Sequence, residues 1–149
     1  MLNFFQWDIC LPTSCYLTEL LLPHSIHPTD RQCGKHIANF RTAKEEFHMA
    51  VKTMLDTSLQ EESMMLVVPS IMACSILQAS RLVCGLLPSW PDQLEAMTGY
   101  TKDQLEQATD SLVSLHKLQG EETLGGGDEG YHSNISVGYS PGHRPAMQE

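Results

Sequence analysis

Residues 64–87 read MMLVVPSIMACSILQASRLVCGLL, and where that run is housed decides the fold. As one helix it would be long enough to cross a bilayer. Pro69, Gln78 and Arg81 argue against that, because an arginine at the centre of a spanning helix costs ~2.5–3.5 kcal/mol even on the lenient insertion scale. The other home for a helix that is apolar on all sides is the centre of a core. Pro69 suits a first helical turn, where its absent N–H is not needed. Ser70, Ala73, Cys74, Ser75, Ala79, Ser80, Cys84 and Gly85 are small, so neighbouring helices can approach from several directions. The run therefore predicts a helix opened by Pro69, apolar from Ile71 to about Leu87, in the middle of a bundle.

Working outward, the clearest periodicity lies upstream. Ile37, Phe40, Lys44, Phe47, Val51 and Met54 recur at helical spacing, with Ala43 and Ala50 flanking. That predicts a helix with one face on the core, broken at DTSLQEES. The stripe is too short for a coiled coil, which needs its repeat sustained over more heptads. Before it, residues 23–36, PHSIHPTDRQCGKH, show no period and read as a linker. Before that, Thr13 reads as an N-cap, Tyr16, Leu17, Leu20 and Leu21 as a helical face, and Pro23 as the stop. Downstream, Pro91 and Gly99 bound a short helix. Thr101-Lys102-Asp103-Gln104 is a capping box opening the last one, with Leu105, Ala108, Leu112 and Leu115 as its stripe. The expectation is an all-α, five-helix bundle whose third helix is central and buried. Leu2 to Ile9 read as a helical stub ahead of it. From residue 119 the chain turns Gly-rich and polar, with five acidic residues against one arginine, and reads as a disordered tail.

The composition narrows the function. The chain has 149 residues, 42% hydrophobic, and a formal net charge of -9. Such a charge disfavours nucleic-acid backbones, which need a basic face, and anionic membrane surfaces for the same reason. No nucleic acid and no membrane are expected as partners. The start, MLNFFQWDICL, lacks the basic region of a signal peptide. Five cysteines without a secretory signal suggest reduced thiols, hence the nucleus or the cytoplasm. Asn134 in NIS then carries little meaning as a glycosylation acceptor.

Motifs with chemistry in them are few. GGGDEG, residues 125–130, matches the spacing of a dinucleotide loop but has no strand before it or helix after it. His24, His27, Cys33 and His36 are spaced as zinc ligands can be, and they form a candidate metal loop. It lacks a C-x-x-C and a hairpin signal, so a surface loop is the reading preferred, with no metal and no cofactor. Cys74 and Cys84 sit in the most apolar helix, where thiols are usually inert. His48 and His116 read as solvated helix positions. Glu45-Glu46 and Glu61-Glu62 are adjacent pairs that point apart on a helix. No nucleophile, base and orienting group can be assembled, so no catalytic residue and no enzyme are expected. Ser140 before Pro141 is a candidate site for a proline-directed kinase.

Three segments together resemble a known family. FQWDICLPTSCYLTELLL is similar to the passage in cyclins where the first cyclin box ends and the second begins. VVPSIMACSILQASRLV resembles the central helix of the second box, and SWPDQLEAMTGYTKDQL the segment after it. They occur in the family's order across residues 2–118, and FQWDICLPT with TSLQE is most similar to the cyclin-J-like branch.

The resemblance implies three regions: the end of the first box over residues 1–11, the second box over 12–118, and the tail over 119–149. It implies a non-catalytic regulatory subunit of a cyclin-dependent protein kinase, acting in the cell cycle. Kinase contacts in the family lie mainly in the first box, so a chain starting at its end is expected to be an N-terminally truncated form that activates poorly. Leu2, Phe4, Phe5, Trp7 and Leu11 are then inter-box or partner-packing residues. The alternative is a kinase-independent helical adaptor that docks through the same aromatic segment.

Overall fold

The computed structural model describes residues 12–125. Five helices make up the body: α1 (Ser14–Leu21), α2 (Phe40–Gln60), α3 (Pro69–Val83), α4 (Asp92–Thr98) and α5 (Lys102–Gly125). α3 packs against α1, α2 and α5, and every residue of it from 72 to 81 is buried. The central third helix is thus as its small-residue composition predicts. Among the described residues, no helix is long and apolar enough to cross a membrane.

Local chemistry sets the helix ends. Thr13 Oγ1 accepts the Tyr16 N–H at 3.2 Å and opens α1, which gives way to a short 3-10 turn, Leu22–His24, at Pro23. Asn39, a cap that the periodicity did not reveal, accepts the N–H groups of Arg41 and Thr42 at the start of α2. Gly99, at φ 74°, closes α4 in the left-handed conformation that glycine adopts without strain. Gln104 Oε1 accepts the Thr101 N–H at 2.9 Å, the returning half of the capping box.

Several sequence expectations need correction. α2 does not break at DTSLQEES but runs to Gln60, because Thr57 and Ser58 are small enough to be buried and Ser58 bonds back to the Leu55 carbonyl. Within its stripe Lys44 is exposed, and Ala43 occupies the core in its place. On α1, Tyr16 and Leu20 face outward and Thr18 is the buried residue, its hydroxyl satisfied by the Ser14 carbonyl. α5 continues past Leu118, where the tail was expected to begin. The Gln119 side chain there accepts from Thr57 and donates to Gln60, tying α5 to the end of α2.

The stretch read as a linker contains a hairpin. Strands β1 (Arg31–Gln32) and β2 (Lys35–His36) pair antiparallel across Cys33 and Gly34, both at positive φ, 49° and 79°. That is the backbone of a two-residue hairpin turn, with Cys33 where Asn or Asp would have signalled it. α3 ends at Val83 rather than near Leu87. Gly85, at φ 65°, turns the chain so that Leu86–Leu87 form β3 against β1, giving the sheet order β2-β1-β3. A Cβ at residue 85 would lie 2.8 Å from Cys33 Sγ, so glycine is needed for space as well as for φ.

This small sheet brings two loops onto the end of α3, where Arg81 is 0% exposed. Its Nε donates to the Pro88 carbonyl at 2.9 Å. Its Nη1 donates to the Ser25 carbonyl and to Asp30 Oδ2, the latter at 2.9 Å. Asp30 Oδ2 also accepts the His27 N–H at 2.9 Å.

Two outcomes follow for urea denaturation. Asp30→Ala strands a buried guanidinium and is expected to cost about 3–5 kcal/mol, while adding Arg81→Met recovers most of it. Gly85→Ala is expected to lose about 1–2 kcal/mol for the left-handed backbone plus a further share for the contact with Cys33. Adding Cys33→Ala should return only the contact share.

Candidate interaction surface

α1 lies at the edge of the bundle, and its sequence carries more apolar side chains than one buried face can use. Leu17, Leu21 and Leu22 are half-buried, while Tyr16 and Leu20 remain exposed. A groove of about 400 Å³ runs between α1 and α2, walled by Cys15, Thr18, His48, Val51 and Leu55. A second cleft, about 310 Å³, opens beside Pro12 and Thr13, where Leu59 and Met65 form the wall at 66% and 70% exposed. A third hollow, about 180 Å³, lies between α1 and the start of α3 and is lined by Leu17, Leu20 and Tyr100. Leu66 and Val68, in the connection leading to α3, are exposed too, Leu66 at 90%. Scattered apolar residues are ordinary on a protein surface, but clefts walled by them around one helix make this the candidate interaction surface.

The predicted site residues fall into three groups. Leu2, Phe4, Phe5, Trp7 and Leu11 lie outside the described residues, which begin at Pro12 in the wall of the second cleft. Ser140, Asn134 and residues 126–130 of the GGGDEG run also lie outside them. The four residues of the candidate metal loop are divided. His24 and His27 line a cleft with Asp30 and Arg81, whereas Cys33 sits in the hairpin turn and His36 in β2. Among the described residues, no three His, Cys, Asp or Glu side chains are grouped as ligands of a metal ion.

Burial pushes the Cys74 thiol up to about 11, opposed by a hydrogen bond involving Thr98. Burial also raises Cys84, with Glu46 adding to the effect. Both thiols are therefore held away from the nucleophilic thiolate. Cys15 and Cys33 are exposed. Glu45 pairs with Arg41 at 3.1 Å and Glu46 accepts from Gln32 at 3.2 Å, so these neighbours do face apart. His48 is half-buried in the wall of the α1–α2 groove rather than on a solvated face.

Sequence reasoning missed Arg81 and Asp30 as a pair. The signal was present: a lone cation inside an otherwise apolar helix needs an acceptor from elsewhere in the chain. What it could not supply was which acceptor.

Comparison with known proteins agrees with this architecture. The family described as "Cyclin, C-terminal domain" matches residues 32–135. Cyclin-J of Xenopus laevis is 31% identical over 116 residues, covering 78% of this chain and 30% of that protein. Cyclin-J of Homo sapiens is 29% identical, over 78% of this chain and 28% of its own length. Cyclin-B1-3 of Oryza sativa subsp. japonica is 28% identical, over 78% and 21%. The chain thus spans under a third of the length of these relatives. No solved structure matches it. An all-α bundle wrapped around one buried helix, matched over most of its length by that family, makes the chain a member of the cyclin family through its C-terminal domain.

Proposed function

We propose that this chain is the second-box part of a cyclin-J-like regulatory subunit, without catalysis of its own, that acts on a cyclin-dependent protein kinase in the nucleus or cytoplasm. Family membership supports the regulatory class, and the relatives named Cyclin-J support the branch. The observation that carries the reading is the apolar surface around α1, with Leu59 and Met65 open to solvent in the cleft beside Pro12. In this reading Leu2, Phe4, Phe5, Trp7 and Leu11 belong to the inter-box contact, and Ser140 is offered to a proline-directed kinase.

In the family the first box makes most of the kinase contact, setting the kinase helix and activation loop. Residues 32–135 correspond to the C-terminal domain instead. Support of a first box, rather than direct activation, is the role assigned to this surface. A second reading is favoured by the same apolar face: a helical adaptor that binds a partner independently of any kinase.

The test is a pull-down of the 149-residue chain against purified cyclin-dependent kinases, with histone phosphorylation read from the bound fraction. Phosphorylation is expected to stay near that of kinase alone, and a level equal to that with a full-length cyclin overturns the proposal. Supplying the first box of a J-type cyclin in trans is expected to give a complex. Leu59→Glu with Met65→Glu should weaken that complex about tenfold or more, since each charge would have to be desolvated. The same pair should leave the thermal midpoint nearly unchanged, because both positions are exposed. Unaltered assembly of the double variant would favour the adaptor reading or a different face.

A further inference from the structure

The guanidinium of Arg81 is only partly used. Nε is taken by Pro88 and Nη1 by Ser25 and Asp30, while Nη2 is buried and has no hydrogen-bond partner among the described residues. A planar guanidinium shares one edge between Nε and Nη2 and another between Nη1 and Nη2. Here the Nε–Nη2 edge faces the Pro88 carbonyl. Pro88, Asp30 and Arg81 itself line a cleft of about 370 Å³, together with the exposed His24, His27 and Gln93. The unused donor therefore belongs to a side chain in the wall of that cleft. A buried donor without an acceptor is destabilising, and a ligand that supplies the acceptor recovers that cost.

From these contacts we infer that the cleft at the end of α3 binds a carboxylate, presented as an acidic side chain by a partner peptide. The imidazoles, the Gln93 amide and Nη2 all bring donor capacity. The acidic group in the lining, Asp30, already accepts from Arg81 and from the His27 N–H at Oδ2. The complement of such a site is rich in acceptors. Arg81 and Asp30 cancel in charge, so one added negative charge is tolerated, whereas a dianion beside Asp30 meets stronger repulsion. Ile26 and Pro88 supply apolar wall for a short aliphatic stem. Guanidinium and carboxylate also match in planar geometry. The site is separate from the apolar clefts around α1, and its failure would leave the kinase proposal standing.

The experiment is a nuclear magnetic resonance titration of the full chain, following the Arg81 Nε–H and Gln93 side-chain signals. The probe is N-acetylglutamate N-methylamide, which carries one carboxylate. The controls are the uncharged glutamine analogue and inorganic phosphate. Saturating shifts are expected with the carboxylate probe in the millimolar range, roughly 1–50 mM, as suits a single side chain. The glutamine analogue should give none. Gln93→Glu, on the exposed rim, should weaken binding about tenfold through like-charge repulsion without lowering the thermal midpoint. The inference is overturned by shifts that fail to saturate, by an equal response to the glutamine analogue, by tighter binding of phosphate, or by a Gln93→Glu chain that binds as well as the parent.

Discussion

A guanidinium enclosed at the end of the central helix is the constraint on which the other loops depend. Arg81 is buried completely, and a charge in that position is stable only with acceptors around it. They come from two places far apart in the chain: Ser25 and Asp30 in the loop after α1, and Pro88 in the loop after α3. One side chain thus fixes where both loops sit. The pairing of β1 with β3 continues the same junction in backbone hydrogen bonds. A buried ion pair of this kind adds little net stability compared with an apolar replacement, because desolvation offsets much of the attraction. Its consequence is positional: the hairpin, the turn at Gly85 and the approach to α4 all meet at Arg81.

The rest of the core follows from α3 being surrounded. A helix with neighbours on several sides needs small side chains and internal satisfaction of its polar atoms. Ser80 bonds back to the Ile76 carbonyl, and Gln78 accepts from Thr109 of α5 at 2.9 Å. With α2 and α5 covering two sides, α1 is left on the periphery with apolar residues to spare. The same packing that buries α3 therefore creates the open clefts around α1. The apolar surface around α1 is thus a by-product of how the core is closed.

Legibility in the sequence followed the range of the interactions. Most helix signals made by contacts within four residues were readable, the Asn39 cap excepted: the cap at Thr13, the stripe Phe47, Val51, Met54, the returning Gln104 and the glycine closing α4. Lys44 and Ala43 exchanged places because a stripe one residue wide does not fix the rotation of a helix about its axis. The end of α2 was misread because Thr57 and Ser58 look polar, yet both fit into the core with their hydroxyls bonded. The hairpin was invisible because two-residue strands have no period, and its turn uses Cys33 in place of the usual signal. Of the candidate surface, the apolar surplus of α1 was present in its composition, but which of its leucines would be covered was not.

The sequence by itself determined the order and type of the helices, the choice of α3 as the central one, and membership of the cyclin family. Each of these rests on local periodicity, capping or short motifs. Only the tertiary structure decided that Arg81 closes onto Asp30, 51 residues away, and onto Ser25, 56 residues away. It also decided that β1 lies between β2 and β3, and that the clefts around α1 stay open. The physical reason is common to all three. They are contacts between segments whose own patterns are complete without each other, and only packing around a shared helix brings them together.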